Sequence, residues 1–191
     1  MFDGPVEKAD FRYIALGAGV QSSVMALMAS RGEIEPMPNC AIFADTQWEP
    51  KYVYEHLDWL ETQLSFPVYR VTLDNIREIS LKSTRITNRE LVDRNQPVVY
   101  AMPVFTDSDA GGIVQRQCTL KYKIEPLQQK VRALLGYAKG QSVGKGIMAE
   151  AWMGISRDEV HRVKDSRVGW ITHRWPLIEE RMSRFDCQLW F

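Results

Sequence analysis

An apolar hexapeptide, Phe11 to Leu16 (FRYIAL), runs straight into Gly17-Ala18-Gly19-Val20-Gln21-Ser22-Ser23, and a helix-like stretch follows at once. Few features constrain a fold so tightly. The hexapeptide is rich in aromatic and β-branched residues and predicts a strand. Ser22 to Ser30 (SSVMALMAS) predicts a helix with Val24, Met25, Leu27 and Met28 on its apolar face. A strand, a glycine-rich turn and a helix form a ready-made anion site. The first amides of a helix have no acceptor within it, and its dipole favours negative charge there. Gly17 and Gly19 are expected to supply positive φ and close phosphate approach, with Ser22 and Ser23 adding hydroxyl donors and capping the helix. The alternative is a tight turn that binds nothing.

The pattern repeats. Asn39 to Ala44 (NCAIFA) is a continuous apolar run suited to a buried parallel strand, ending on Asp45-Thr46. Pro50 suits the first position of a helix spanning Tyr52 to Leu64, and Pro67 to Thr72 predicts a third strand. Strand–helix–strand–helix–strand in this order predicts a doubly wound, mostly parallel α/β sheet with helices on both faces, HUP or Rossmann-like. Further along, the sequence predicts a helix over Ile124 to Leu135, a flexible loop over Lys139 to Gly146, a strand over Ala149 to Ile155 and a short charged helix over Arg157 to Val163. Residues 80–117 carry little periodicity, as functional lids or partly disordered stretches do. Leu177 to Phe191 reads as one helix that stops in mid-stride. Such a tail either docks on the body or marks a shortened chain.

Composition narrows the classes. The 191 residues suit a single nucleotide-binding domain over 1–191. Lys plus Arg balance Asp plus Glu at 24 each, so no global charge draws the chain to nucleic acid or membrane. Cys40, Cys118 and Cys187 are far apart and form no CxxC pair, against a disulfide framework or a zinc site. A cytoplasmic setting without a membrane partner is expected.

No Walker loop is present. Gly17 to Ser22 reads G-x-G-x-x-S, one residue away from the dinucleotide fingerprint, and the ribose-binding carboxylate expected about twenty residues on is missing from that place. The turn resembles a variant of the SGGxDS pyrophosphate loop of the adenine nucleotide α-hydrolase (PP-loop ATP pyrophosphatase) superfamily. Gly19 and Ser22 match, while Gly17 replaces the first serine and Gln21 the aspartate. Three later segments resemble the phosphoadenosine phosphosulfate (PAPS) reductase-like branch, in order. They are Phe43-Ala44-Asp45-Thr46; Arg116-Gln117-Cys118-Thr119 with Lys121, Lys123 and Pro126; and Gly154-Ile155-Ser156-Arg157-Asp158-Glu159 with Arg162. These residues hold no counterpart of the sulfonucleotide reductases' C-terminal E-C-G-x-H motif, and the chain is expected to be a shortened one, without the cysteine-rich extension that follows a segment like Pro176 to Cys187 in many relatives.

The resemblance implies an adenine-nucleotide-binding enzyme, with ATP or a related nucleotide as ligand, that cleaves an α–β phosphoanhydride to adenylate an acceptor or serve sulfur transfer. Gly17 to Ser23 with Asp45 and Thr46 would hold the nucleotide. Arg116, Lys123, Arg157 and Arg162 would offset charge on the departing pyrophosphate, with Lys121, Glu159 and Cys118 as further candidates. Asp45 is the candidate Mg²⁺ ligand, or else a helix cap. For any one of the cations taken alone, a solvated surface role is the default. Cys118 and Cys187 fit inert packing better than nucleophilic chemistry, and His56, His161 and His173 receive no role. The acceptor is open, a nucleobase or nucleic acid among the classes. Two alternatives stay beside the enzyme: a degenerate module that holds a nucleotide or nucleic acid without turnover, and a dinucleotide-dependent oxidoreductase.

Overall fold

The computed structural model describes residues 4–6, 8–72, 105–106, 112–113 and 120–191. β1 (Phe11–Leu16) sits at the centre of a five-stranded sheet, with β2 (Cys40–Ala44) on one side and β6 (Ala149–Met153) on the other. Outside these lie β3 (Val68–Val71) and β7 (Ile171–Arg174), giving the order β3-β2-β1-β6-β7 with every pair parallel. Ala15 of β1 is in register with both Ile42 and Met153. Two short strands, β4 (Phe105–Thr106) and β5 (Gly112–Ile113), pair antiparallel away from this sheet. The architecture is an open doubly wound α/β sheet, as expected. β7 was not foreseen, because four residues reading Ile-Thr-His-Arg carry too little pattern to stand out.

Alternation along the strands divides the core in two. Ile14, Leu16, Ala41, Phe43 and Trp152 turn to one face, where they meet α1 (Val20–Ser30) and Leu57 and Leu60 of α2 (Lys51–Gln63). Tyr13, Cys40, Ile42, Ala149 and Ala151 turn to the other and pack on Val131 of α3 (Glu125–Leu134), which follows a π-turn over Leu120–Ile124. Full burial of a side chain such as Leu57 or Leu60 is worth roughly 1.5–3 kcal/mol. Pro50 is the N-cap of α2, one position earlier than expected.

Glu150 is fully buried in β6, near the sheet's amino edge. Its carboxylate accepts from the Val6 amide at 2.5 Å and from Trp152 Nε1 at 2.8 Å, and it pairs with Arg12 Nε at 3.5 Å. A buried charge is tolerable only when satisfied in this way. These bonds fasten the N-terminal segment to the sheet at the edge opposite the glycine-rich turn.

The tail is not one helix. α4 (Pro176–Glu179) ends before Arg181, whose φ of 56° is left-handed, and α5 (Arg184–Trp190) starts afresh. Ser183 and Asp186 form a capping box: the Ser183 amide donates to Asp186 Oδ2 at 2.8 Å, and the Asp186 amide donates to Ser183 Oγ at 3.2 Å. α5 docks on α1, burying Cys187 completely, while Trp190 Nε1 donates to Glu33 at 3.0 Å and Arg31 lies over the Trp190 ring. No helix among the described residues is long and apolar enough to cross a membrane.

Candidate functional site

In open α/β sheets the ligand crevice lies at the carboxyl ends of the strands, where strand order reverses. Here that point falls between β1 and β6. The Gly17–Ser23 turn leaves β1 there, and Gly154 to Arg162 leaves β6 beside it.

The turn differs from expectation in two ways. Neither Gly17 nor Gly19 takes positive φ; the left-handed residue is Ala18, at φ 53°. Such a conformation is unfavourable for a residue with a Cβ, and strain of this kind collects at functional sites. The glycines supply space instead. A Cβ on Gly19 would meet no heavy atom within 4 Å, and its backbone, φ −91° and ψ 168°, is extended. The serines do not cap α1, which begins at Gly19 without a side-chain cap. Ser22 Oγ donates to the Gly19 carbonyl at 3.1 Å and accepts from the Gly17 amide at 3.3 Å, folding the turn on itself. Ser23 is fully buried, and its Oγ lies 2.8 Å from His56 Nε2 on α2. With its serine hydroxyls engaged inside the protein, and the Gly17 and Ser23 amides bonded to Ser22 Oγ and the Gly19 carbonyl, the groups of the turn left to meet a ligand are the backbone amides between them.

Gln21 points across the crevice. Its Nε2 donates to Glu159 Oε2 at 2.9 Å and to the buried Ser156 Oγ at 3.3 Å. Glu159 Oε1 accepts from Arg162 Nη1 at 2.6 Å, so Gln21, Glu159 and Arg162 form one chain. Ser156 Oγ donates to Asp158 Oδ1 at 2.7 Å, which also accepts from the Arg184 amide at 2.9 Å. These two bonds, the serine hydroxyl first, hold the Asp158 carboxyl below its ordinary range. Arg157 opens the 3₁₀ turn Arg157–Arg162, its amide donating to the Met182 carbonyl at 2.8 Å and its side chain exposed.

Asp45 and Thr46 close β2 at the same edge. Asp45 Oδ1 accepts from the Gln47 amide at 2.7 Å and from the Tyr54 hydroxyl at 2.8 Å; burial first, then this bond, pushes the Tyr54 phenol up. Thr46 Oγ1 donates to Glu49 Oε1 at 3.1 Å, and Lys123 Nζ approaches the same oxygen at 3.7 Å. Lys123 thereby joins the carboxyl end of β2. Arg116 and Cys118 lie outside the described residues, as does the side chain of Lys121. Among the described residues no three His, Cys, Asp or Glu side chains gather into a metal cluster.

His56 is the residue sequence reasoning missed. It is half-buried, against Ser23 and beside the mutually contacting Trp59 and Phe191 rings, with centroids 5.6 and 6.0 Å away. Burial lowers its pKa. Nothing local announces this, because the serine it meets is on another helix.

No family model matches the chain, and no curated protein matches it. Among solved structures it is similar to a crystal structure of phosphoadenylyl-sulfate (PAPS) reductase from Candida auris in complex with phosphate. The two share 16% identity and a TM-score of 0.49, over 94% of this chain and 70% of that one.

Proposed function

We propose that the chain binds an adenine nucleotide by its phosphate tail at the Gly17–Ser23 turn and acts as an ATP pyrophosphatase-type enzyme, cleaving the α–β phosphoanhydride for adenylation or sulfur transfer. One observation carries the proposal. The turn stands where strand order reverses, with open space over Gly19 and the start of an eleven-residue helix behind it. Amides at such a helix start hold phosphate oxygens without reorganising, which is what stabilising a departing pyrophosphate requires. Arg162, Arg157 and Lys123 are cations at the same edge, and Arg116 is a further candidate from the sequence. Their role is to offset charge that the turn's partial dipole meets only in part.

Mg²⁺ characteristically binds through one or two carboxylates plus substrate phosphates. Asp45 fits that pattern as a single carboxylate and is the residue that would hold the ion. When bound, the ion would neutralise charge on the phosphate tail.

A second reading, a nucleotide-binding module without turnover, draws on Gln21. Where the resembling motif has an aspartate, this chain has an amide already bonded to Glu159 and Ser156. Pyrophosphate release from ATP with Mg²⁺ separates the two. Release that disappears in Gly19→Val supports the enzyme. ATP binding without release supports the module, and stabilisation by NAD but not ATP in a thermal-shift panel overturns both in favour of a dinucleotide enzyme.

A further inference from the structure

Glu159 bonds through both of its oxygens at once: Oε2 to Gln21 of the glycine-rich turn and Oε1 to Arg162. Its position is set from below, because Gln21 is also bonded to buried Ser156. The two members of the ion pair differ in freedom. The Glu159 side chain is 22% exposed and the Arg162 side chain 57%, so the guanidinium is the end free to swing. A carboxylate one hydrogen bond from a phosphate turn repels an arriving phosphate. Paired with Arg162, that charge is neutralised, but the arginine is then occupied. A phosphate offers the guanidinium fork a partner with more charge and more acceptor oxygens than a carboxylate has.

Resting on the reading of the Gly17–Ser23 turn as a phosphate site, we infer that Glu159 is an internal competitor for Arg162. It holds the guanidinium at the rim of the turn and yields it to a pyrophosphate-bearing ligand. Wild-type affinity is then a difference: the Arg162–phosphate contact less the Arg162–Glu159 pair given up. Glu159 in this account is a positioning residue, acting on the ligand through Arg162.

Glu159→Gln removes the charge while its amide oxygen still accepts from Gln21, and neither it nor Arg162→Ala touches the core. The probe is inorganic pyrophosphate, titrated by calorimetry into wild type, Gly19→Val, Glu159→Gln, Arg162→Ala and the Glu159→Gln/Arg162→Ala double variant. Glu159→Gln is expected to bind about tenfold more tightly than wild type, the scale of a charged hydrogen bond made available. The gain should vanish in the double variant. Unchanged or weaker binding by Glu159→Gln overturns the inference, and so does a gain that persists without Arg162, since simple removal of repulsion then explains it. Equal pyrophosphate affinity in wild type and Gly19→Val overturns the phosphate-turn reading itself, and this inference with it. Tighter binding by wild type than by Gly19→Val, with no gain in Glu159→Gln, overturns the inference alone.

Discussion

Gly154 lies directly beneath Ser22: a Cβ built on it would sit 3.0 Å from the Ser22 Cα, Cβ and amide nitrogen. In dinucleotide-binding turns the third glycine lets helix and strand pack closely. Here that place on α1 is a serine, and the missing space is supplied by the neighbouring strand's end. Gly154→Ala should therefore push the turn off the sheet. Ser22 backbone cannot move aside cheaply, so a loss of roughly 1–3 kcal/mol is expected, as for overpacking elsewhere. Urea denaturation measures it. Unchanged stability with unchanged nucleotide affinity would show that the turn is not clamped by this contact.

Gly19 presents the opposite case. Open space surrounds its Cβ position, and its extended φ and ψ accept a branched residue. Gly19→Val should cost only about 1 kcal/mol, the penalty of valine at a helix N-cap. Nucleotide and pyrophosphate binding should nonetheless be lost, because the side chain occupies the volume above the helix amides. Calorimetry on the folded variant decides; full ATP affinity in it would place the phosphate elsewhere.

Much of this was legible from residues 11–72 because two physical signals coincide there. Buried parallel strands such as Cys40–Ala44 are continuously apolar, and glycines or prolines punctuate what lies between. The site was half legible. The turn and the Glu159–Arg162 segment could be named separately, but the Gln21 bond joining them spans the sheet and leaves no local trace. Positive φ was assigned to the glycines because they tolerate it best, yet Ala18 carries it. The tail was misread as one helix because Leu177, Ile178, Phe185 and Leu189 suggest continuity. Ser183 and Asp186, a capping signal at the right spacing, were passed over.

Cys187 should prove chemically inert in the native protein. α5 buries it against α1, and burial foremost pushes its thiol up to about 11. The thiolate is the reactive species, so alkylation by iodoacetamide at pH 8 should be negligible until the chain unfolds. Because the folded pKa is raised, the stability gained by protecting the neutral thiol is complete below about pH 9 and is lost as pH climbs towards 11. The protein should accordingly not reduce PAPS through this residue. Thioredoxin-dependent sulfite release that disappears in Cys187→Ser would contradict this.

The pairing of Ser23 with His56 makes a final, separable prediction. Ser23 is fully buried in the first turns of α1, and His56 supplies its 2.8 Å partner from α2. His56→Phe keeps an aromatic ring beside Trp59 and Phe191 but leaves the serine hydroxyl without that partner. An unsatisfied buried hydroxyl costs about 1–3 kcal/mol, whereas removing both polar groups together can be nearly neutral. His56→Phe should therefore be clearly destabilised, and Ser23→Ala/His56→Phe should recover most of the loss, a coupling read from a double-mutant cycle. The pH dependence has a definite sign. Burial lowers the His56 pKa, so its contribution is complete above the ordinary histidine value of 6.5 and fades as pH falls below it. The decline in wild-type stability just below that value should shrink in the double variant. Additive single effects would mean that the imidazole packs beside Ser23 without bonding to it, and an unaltered acid limb would mean that charging the buried imidazole is not what the fold loses below that pH.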